Sequence, residues 1–90
     1  MSLDKIMPTA NSMFDTISNT NILEKMKNKK AFDEWTKCLF TMNRMMIDEW
    51  TTAEGKDKEE LIRQTETLFS LAITKKLLKE IAENERGFAF

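Results

Sequence analysis

Apolar residues recur along this chain at intervals of three and four, the spacing of one face of an α-helix. The first such set is Ala10, Met13, Phe14 and Ile17. Pro8 precedes it and suits the first position of a helix, where its missing N–H costs nothing. The pattern therefore predicts a short first helix over residues 8–18.

A second, shorter helix is predicted over residues 22–28. Asn21 is followed three residues later by Glu24, a variant of the capping box in which Asn replaces the usual Ser or Thr. The apolar edge of this helix is narrow, and Asn28, Lys29 and Lys30 add nothing to it. We therefore expect the chain to bend at this point.

The strongest helical pattern covers residues 31–54 and predicts a long third helix, with Gly55 as its C-terminal stop. At 100° per residue one face carries Phe32, Trp35, Leu39, Met42, Met46, Trp50 and Ala53. Phe40 and Ile47 form a second ridge beside this face, which widens the apolar arc to about 220°, against the ~100° stripe of an ordinary surface helix. Such a helix needs neighbours on two sides.

The last helix is predicted over residues 58–85, with Asp57 as N-cap, Glu60 at the capping-box position and Lys56 linking it to Gly55. Its face consists of Leu61, Ile62, Thr65, Leu68, Phe69, Ala72 and Ile73. This face matches the third helix in length, so the two are expected to pack antiparallel as a long hairpin.

Beyond Ile73 the apolar pattern of the last helix changes phase. The later apolar residues, Leu77, Leu78, Ile81 and Ala82, project almost opposite to the earlier ones. Either the chain bends near residues 74–76, or the final turns contact a different partner. Gly87 is expected to end the helix and leave an apolar tail, 88–90, which either folds back onto Leu77, Leu78 and Ile81 or docks elsewhere.

The predicted fold is all-α and forms one domain over residues 1–90: a short N-terminal helix and a long antiparallel hairpin, in a three- to four-helix arrangement. The composition agrees, since the chain has no Val or Tyr, only two Gly and one Pro. Because Phe40 and Ile47 lie beside a complete stripe, we expect two hairpins to pair into a homodimeric four-helix bundle.

Charge and targeting signals narrow the setting. A formal net charge of -1 gives no field that would attract nucleic acid, and none is expected as a partner. The cluster Lys25, Lys27, Lys29 and Lys30 is either a solvated face or a phosphate site; the absence of interleaved aromatic or Arg residues favours the former. No signal peptide or bilayer-spanning segment is evident. With the single Cys38, these features favour a soluble protein of the cytoplasm.

The residues needed for most catalytic sites are missing. Without His the chain cannot build a Ser-His-Asp site or a His-containing metal site, and two isolated Gly cannot make a phosphate-binding loop. We therefore expect no enzyme, no cofactor and no metal. Cys38 fits a small buried hydrophobe better than a redox thiol. Glu49 is interpreted as a rim residue or, less favourably, as a polar contact that fixes register in an assembly.

These features favour a non-catalytic helical protein that mediates protein–protein interaction or assembly, as a regulatory adaptor whose partner the residues do not identify. Seven Met residues indicate either an adaptable binding surface or a loosely specified core. The expected interface residues are Phe40, Met42, Met45, Met46, Ile47, Trp50, Leu77, Leu78, Ile81, Phe88 and Phe90. The alternative is an amphipathic protein that binds a lipid or hydrophobic-granule surface, for which the chain lacks a dense cationic border.

Overall fold

A computed structural model describes residues 9–88, with side chains up to residue 85. The regular structure in this range consists of the helices α1 (Ala10–Ser18), α2 (Ile22–Met26), α3 (Lys29–Trp50) and α4 (Gly55–Phe88). No strand occurs among the described residues, which confirms the predicted all-α class. Pro8 and the end of the apolar tail, 89–90, lie outside the described residues.

The first three helices all begin at side-chain caps. At α1 the Thr9 hydroxyl accepts a hydrogen bond from the Ser12 N–H at 3.1 Å, and the Ser12 hydroxyl accepts one from the Thr9 N–H at 2.9 Å. The amide oxygens of Asn21 and Asn28 accept from backbone N–H groups at the start of α2 and α3, respectively. Each cap satisfies a donor that the helix itself leaves without a partner. The predicted break near residue 28 is thus the start of α3 at an asparagine cap.

The C-terminal end of α3 differs from the prediction. The helix ends at Trp50 rather than at residue 54, and Thr51 is extended, with φ -121° and ψ 146°. The Thr51 hydroxyl accepts a hydrogen bond from the Ala53 N–H at 3.0 Å, and such a local bond competes with the helical ladder. Gly55 therefore does not stop α3. With φ +62° it opens α4, and Asp57 lies inside that helix instead of capping it.

α4 is the longest helix and contacts each of the other three. It is helical without interruption through residues 74–76, where a bend was one of two alternatives, and past Gly87, where a stop was expected. Late residues of α3 lie beside early residues of α4, as in the ion pair of Asp48 with Lys58. The rings of Phe14 and Phe69 join α1 to α4 at 4.8 Å between centroids.

The hydrophobic core lies between α4 and the other helices. Its buried members are Met13, Ile17, Ile22, Leu39, Met46, Ile47, Ile62, Phe69 and Ile73. Every helix contributes to this set, although α2 contributes only Ile22. On the other side of α4, Leu68, Leu71 and Leu78 remain more than half exposed.

Candidate interaction surface

The residues of α3 that were predicted to contact a partner divide into covered and exposed groups. Ile47 is only 6% exposed and Met46 is also buried, while Phe40 and Met42 are half-buried. The chain itself therefore covers the wide apolar arc of α3, and Ile47 gives no reason to invoke a second molecule. Trp50, by contrast, is 72% exposed because it stands at the end of the helix, beyond its neighbours.

Three further α3 residues considered in the sequence analysis lie at the surface. Cys38 is exposed, against the expectation of a buried hydrophobe, because α3 turns Leu39 rather than Cys38 toward the core. Met45 is also exposed, as is Glu49, whose position fits the predicted rim role.

The C-terminal residues predicted to form an interface also divide into a half-buried and an exposed group. Leu77 is half-buried and packs against the core, whereas Leu78 and Ile81 are exposed. The Phe88 side chain and all of Phe90 lie outside the part of the chain that the structure describes. The prediction that the tail folds back or docks elsewhere therefore stays a prediction.

The largest exposed apolar feature is a line of leucines along the outer side of α4. Leu68, Leu71 and Leu78 are 56%, 60% and 60% exposed, and we refer to them as the leucine ridge. At 100° per residue Leu71 and Leu78 lie about 140–180° from Phe69 and Ile73, which face the core, whereas Leu68 lies about 100–140° from them. The predicted core face included Leu68, which is exposed instead. α4 therefore carries apolar residues on its core side and on its outer side.

A coiled-coil spacing was the signal that would have revealed this ridge. Intervals of three and four connect Leu61, Gln64, Leu68, Leu71, Lys75 and Leu78, which is the a/d repeat of a helix that pairs with another helix. Gln64 and Lys75 obscured this repeat, because two polar residues reduce the apparent hydrophobicity of the seam.

One buried carboxylate ties α4 to the start of α2. Glu80 is 9% exposed, and its oxygens accept hydrogen bonds from the N–H groups of Ile22 at 3.0 Å and Leu23 at 2.8 Å. The Lys76 ammonium donates to the same carboxylate at 2.6 Å and to the Thr20 carbonyl at 2.9 Å. Glu80 thus caps α2 from another helix, since α2 has free N–H groups at its first turn.

The environment of Glu80 shifts its pKa in two directions. Burial alone would raise the pKa of this carboxyl, but the hydrogen bonds from Leu23, Lys76 and Ile22, with the positive charge of Lys76, outweigh burial and leave the pKa below its ordinary value. Glu80 was not among the residues that the sequence pattern singled out. Lys76 and Glu80 nevertheless continue the spacing of the buried Phe69 and Ile73, and this opposite-charge pair on a core face was an available signal.

A second buried polar group lies between α3 and α4. Asn43 is 0% exposed, and its side-chain N–H donates to the Ile62 carbonyl at 3.3 Å. Its Oδ1 has no hydrogen-bond partner among the described residues. An amide at this position fixes how the two helices align, because moving Asn43 along α4 would leave its N–H groups without a partner as well.

Charged residues near the α3–α4 connection form ion pairs that solvent reaches. Arg44 lies 3.6 Å from Glu59 and 4.0 Å from Glu66, and Arg63 lies 3.3 Å from Glu60. Pairs this exposed contribute about 0–1 kcal/mol each. Within residues 9–88 no group of three or more acidic or Cys side chains is placed to hold a metal ion.

The lysine cluster of α2 and α3 is largely solvated, as its composition predicts. Lys27 pairs with Glu24 at 3.1 Å and Lys29 with Asp33 at 3.7 Å. Two lysines of the cluster thus form ion pairs with carboxylates of the same chain. Among the described helices, none is long and apolar enough to cross a bilayer.

Comparison of this chain with protein-family models, with curated proteins and with solved structures finds no match. Its function is therefore argued from the surface of the molecule alone.

Proposed function

We propose that this chain is a non-catalytic assembly module that pairs with a second copy of itself through the leucine ridge of α4. The observation that carries the proposal is the exposure of three leucines, each more than half accessible, on one side of a single helix. Fully burying a leucine side chain stabilises an assembly by about 1.5–3 kcal/mol. Leaving three of them aligned in water is costly unless a partner covers them.

A second copy fits this ridge in an antiparallel register. When Leu68 of one copy faces Leu71 of the other, the same symmetry places Gln64 against Lys75. It also brings Leu78 to Leu61, which is half-buried and packs against the core of its own chain. Apolar residues then meet apolar residues, and the polar positions of the two seams meet each other. A two-fold interface requires such self-complementarity, because each residue pair occurs twice.

Charge complementarity supports the same register. Lys75 stands in the seam without an ion pair among the described residues. In the antiparallel pair it approaches Gln64 and the carboxylate of Glu60 of the second copy. The overlap of the two helices covers residues 61–78, about 27 Å at 1.5 Å per residue. Contact of one helix with one helix is a small interface, so we expect a weak, concentration-dependent dimer.

The experiment is sedimentation velocity over a concentration range from micromolar to millimolar, comparing the native chain with the variant Leu71→Glu. The native chain is expected to shift from monomer to dimer as concentration rises. Leu71→Glu is expected to remain monomeric, because each interface would bury two uncompensated carboxylates. Met45→Glu is the matched control: it changes an exposed apolar residue of α3 and should dimerise like the native chain.

A single 10.5 kDa species at every concentration would overturn the proposal. Equal loss of dimer in Leu71→Glu and Met45→Glu would also overturn it, because the contact would then not be specific to α4.

An adaptor role extends the dimer proposal. In the proposed dimer Met45 and Trp50 of each copy lie outside the a/d seam of α4 and stay exposed. A large aromatic beside an adaptable thioether is a common composition for a protein-binding surface. We place this activity in the cytoplasm because the single Cys38 is exposed and has no intrachain partner.

A second candidate function is attachment to an anionic lipid or granule surface through the same ridge. It is favoured by Lys75 and Lys79, which flank the leucines and carry no ion pair among the described residues. Cosedimentation with anionic vesicles separates the two functions. Loss of vesicle binding in Lys75→Glu, together with a native chain that stays monomeric without lipid, would favour the lipid function. Both readouts are needed, because Lys75 also lies in the proposed dimer seam and Leu71→Glu would disrupt both functions.

A further inference from the structure

A cleft between α1 and α4 combines an apolar floor with a cationic rim. Phe14, Ile17 and Ala72 line the floor, and the rim contains Lys75 and Lys79, with Ser18 and Lys76 completing the lining. The cleft measures about 550 Å³, within the ~300–1,000 Å³ of small-molecule sites. Mainly apolar walls with a few charged groups at one end are the usual composition of such a site.

The aromatic part of the floor is already in place without a ligand. Phe14 remains 40% exposed although it belongs to a helix with a buried face. Its ring lies 4.8 Å from that of Phe69, at an interplanar angle of 45°, a tilted contact that fixes its orientation. A ligand that covers Phe14 therefore gains apolar contact without first reorganising the side chain.

The three lysines of the cleft are not equivalent. Lys76 is committed, because its ammonium donates to Glu80 and to the Thr20 carbonyl. Lys75 and Lys79 are exposed, and neither has a carboxylate partner among the described residues. They are separated by four residues on one helix, where like charges repel. An anion between them would relieve this repulsion, whereas a cation would increase it.

We propose that this cleft binds a small anionic amphiphile, with a carboxylate held between Lys75 and Lys79 and an alkyl chain laid across Phe14 and Ala72. The chemistry of the two ends selects the ligand: the rim accepts negative charge and the floor accepts hydrocarbon. A single-chain carboxylate fits better than a phospholipid, since the cleft accommodates one chain and lies beside α1 rather than on the open outer side of α4.

Isothermal titration calorimetry with decanoate below its micelle concentration tests the site. Decanoate is expected to bind with one site per chain, and decyltrimethylammonium, which has the same chain and the opposite charge, is expected to bind at least ten-fold more weakly. Octanoate should bind several-fold more weakly than decanoate, because it buries two fewer methylene groups. Equal binding of the cationic and anionic probes would overturn the proposal.

Two double variants with the same change in charge locate the site. Lys75→Gln with Lys79→Gln is expected to weaken decanoate binding about five- to ten-fold. Lys30→Gln with Lys37→Gln removes two exposed lysines far from the cleft and should leave the affinity unchanged. Circular dichroism establishes that both variants fold. Equal effects of the two variants, or binding only to anionic phospholipid vesicles and not to decanoate, would overturn the site.

The ridge and the cleft share Lys75, so the variants that separate the two proposals leave this lysine unchanged. Leu71 is not among the residues that line the cleft, so the monomeric Leu71→Glu variant should bind decanoate as the native chain does. The variant Ser18→Phe tests the site by filling the cleft, because the larger side chain would occupy the space beside Phe14. We expect this variant to lose decanoate binding and to retain dimerisation; retained decanoate binding would place the ligand elsewhere and overturn the proposal.

Discussion

At the scale of single residues, Glu80 links two distant parts of the chain. It lies 58 residues from Ile22, yet it supplies the acceptors for the first backbone donors of α2. A five-residue helix has little intrinsic stability, because nucleating the first turn is unfavourable. The carboxylate of Glu80, together with the Asn21 cap, therefore provides much of what holds α2 in place.

The lowered pKa of Glu80 predicts how stability depends on pH. Because the folded protein binds this proton less tightly than the unfolded chain, the contribution is fully present above the ordinary value of 4.5. It is lost as the pH falls through the lowered folded-state pKa. Thermal or urea unfolding of the native chain at a series of pH values from neutral to strongly acidic should show this loss.

The control for Glu80 is a nearby carboxylate with the same charge. Glu80→Gln is expected to lower the free energy of unfolding at neutral pH by about 3 kcal/mol, since an amide cannot accept both backbone donors or neutralise Lys76. Glu83→Gln, at an exposed position on the same helix, should change it by less than about 0.5 kcal/mol. If both variants behaved alike, Glu80 would not be the anchor of α2.

The sequence predicted apolar residues of the core better than its polar ones. Met13, Ile17 and Leu39 follow the helical spacing and are buried as expected. Asn43 and Glu80 were missed because a polar side chain is normally solvated, and only a partner from a distant helix makes its burial favourable. Spacing along one helix does not reveal such a partner, although the Lys76–Glu80 pair on a core face hinted at one.

At the scale of elements, the predicted start of α2 is confirmed, whereas the predicted starts of α3 and α4 and the predicted end of α3 are wrong by two to four residues. Asn21 caps α2 as its pattern predicted, but Asn28 caps α3 where no cap was predicted, and Asp57 lies inside α4 instead of capping it. The end of α3 was misplaced because Ala53 continued the apolar spacing and Gly55 resembled a stop. The actual end is set by Thr51, whose hydroxyl accepts a hydrogen bond from the Ala53 N–H. The spacing of apolar residues does not reveal such a local bond.

The connection between α3 and α4 depends on the backbone of Gly55. Its φ of +62° lies in the left-handed region, which an L-residue with a Cβ adopts at a cost. A Cβ at this position would meet nothing within 4 Å, so the cost is conformational and not steric. Gly55→Ala is expected to lower the free energy of unfolding by about 1 kcal/mol, measured by urea denaturation.

Two comparisons make the Gly55 prediction specific. Gly55→Asn should cost less than Gly55→Ala, because Asn tolerates the left-handed region through local hydrogen bonds. Glu54→Ala changes the preceding exposed residue and should be nearly neutral. A neutral or stabilising Gly55→Ala would show that α4 can begin without the left-handed turn.

At the scale of the whole molecule, α4 separates a covered side from an open one. The core side holds Ile62, Phe69 and Ile73 against the other helices, and the outer side presents the leucine ridge to solvent. The residue pattern predicted excess apolar surface on α3, and on α4 it indicated an opposite-facing apolar set only beyond Ile73. The extension of that set back to Leu71 and Leu68 was missed, because Gln64 and Lys75 interrupt the outer seam.

This two-sided arrangement predicts that folding and assembly respond to different leucine and phenylalanine positions. Phe69→Ala removes a core ring and is expected to lower the free energy of unfolding by about 3–5 kcal/mol at any protein concentration. Leu68→Gln with Leu71→Gln changes only the exposed ridge, so a dilute sample should unfold at nearly the native temperature. In concentrated samples the native chain should gain thermal stability, because a partner that binds only the folded state shifts the unfolding equilibrium.

The concentration dependence of the unfolding temperature therefore discriminates between the two sides of α4. The native chain and Phe69→Ala, where it still folds, should both melt at higher temperature as concentration rises, whereas the Leu68→Gln with Leu71→Gln variant should melt at one temperature throughout. If the ridge variant kept the native concentration dependence, the partner would contact another surface. If it lost stability in dilute solution as Phe69→Ala does, the leucine ridge would belong to the core of a single chain, and the outer side of α4 would need no partner.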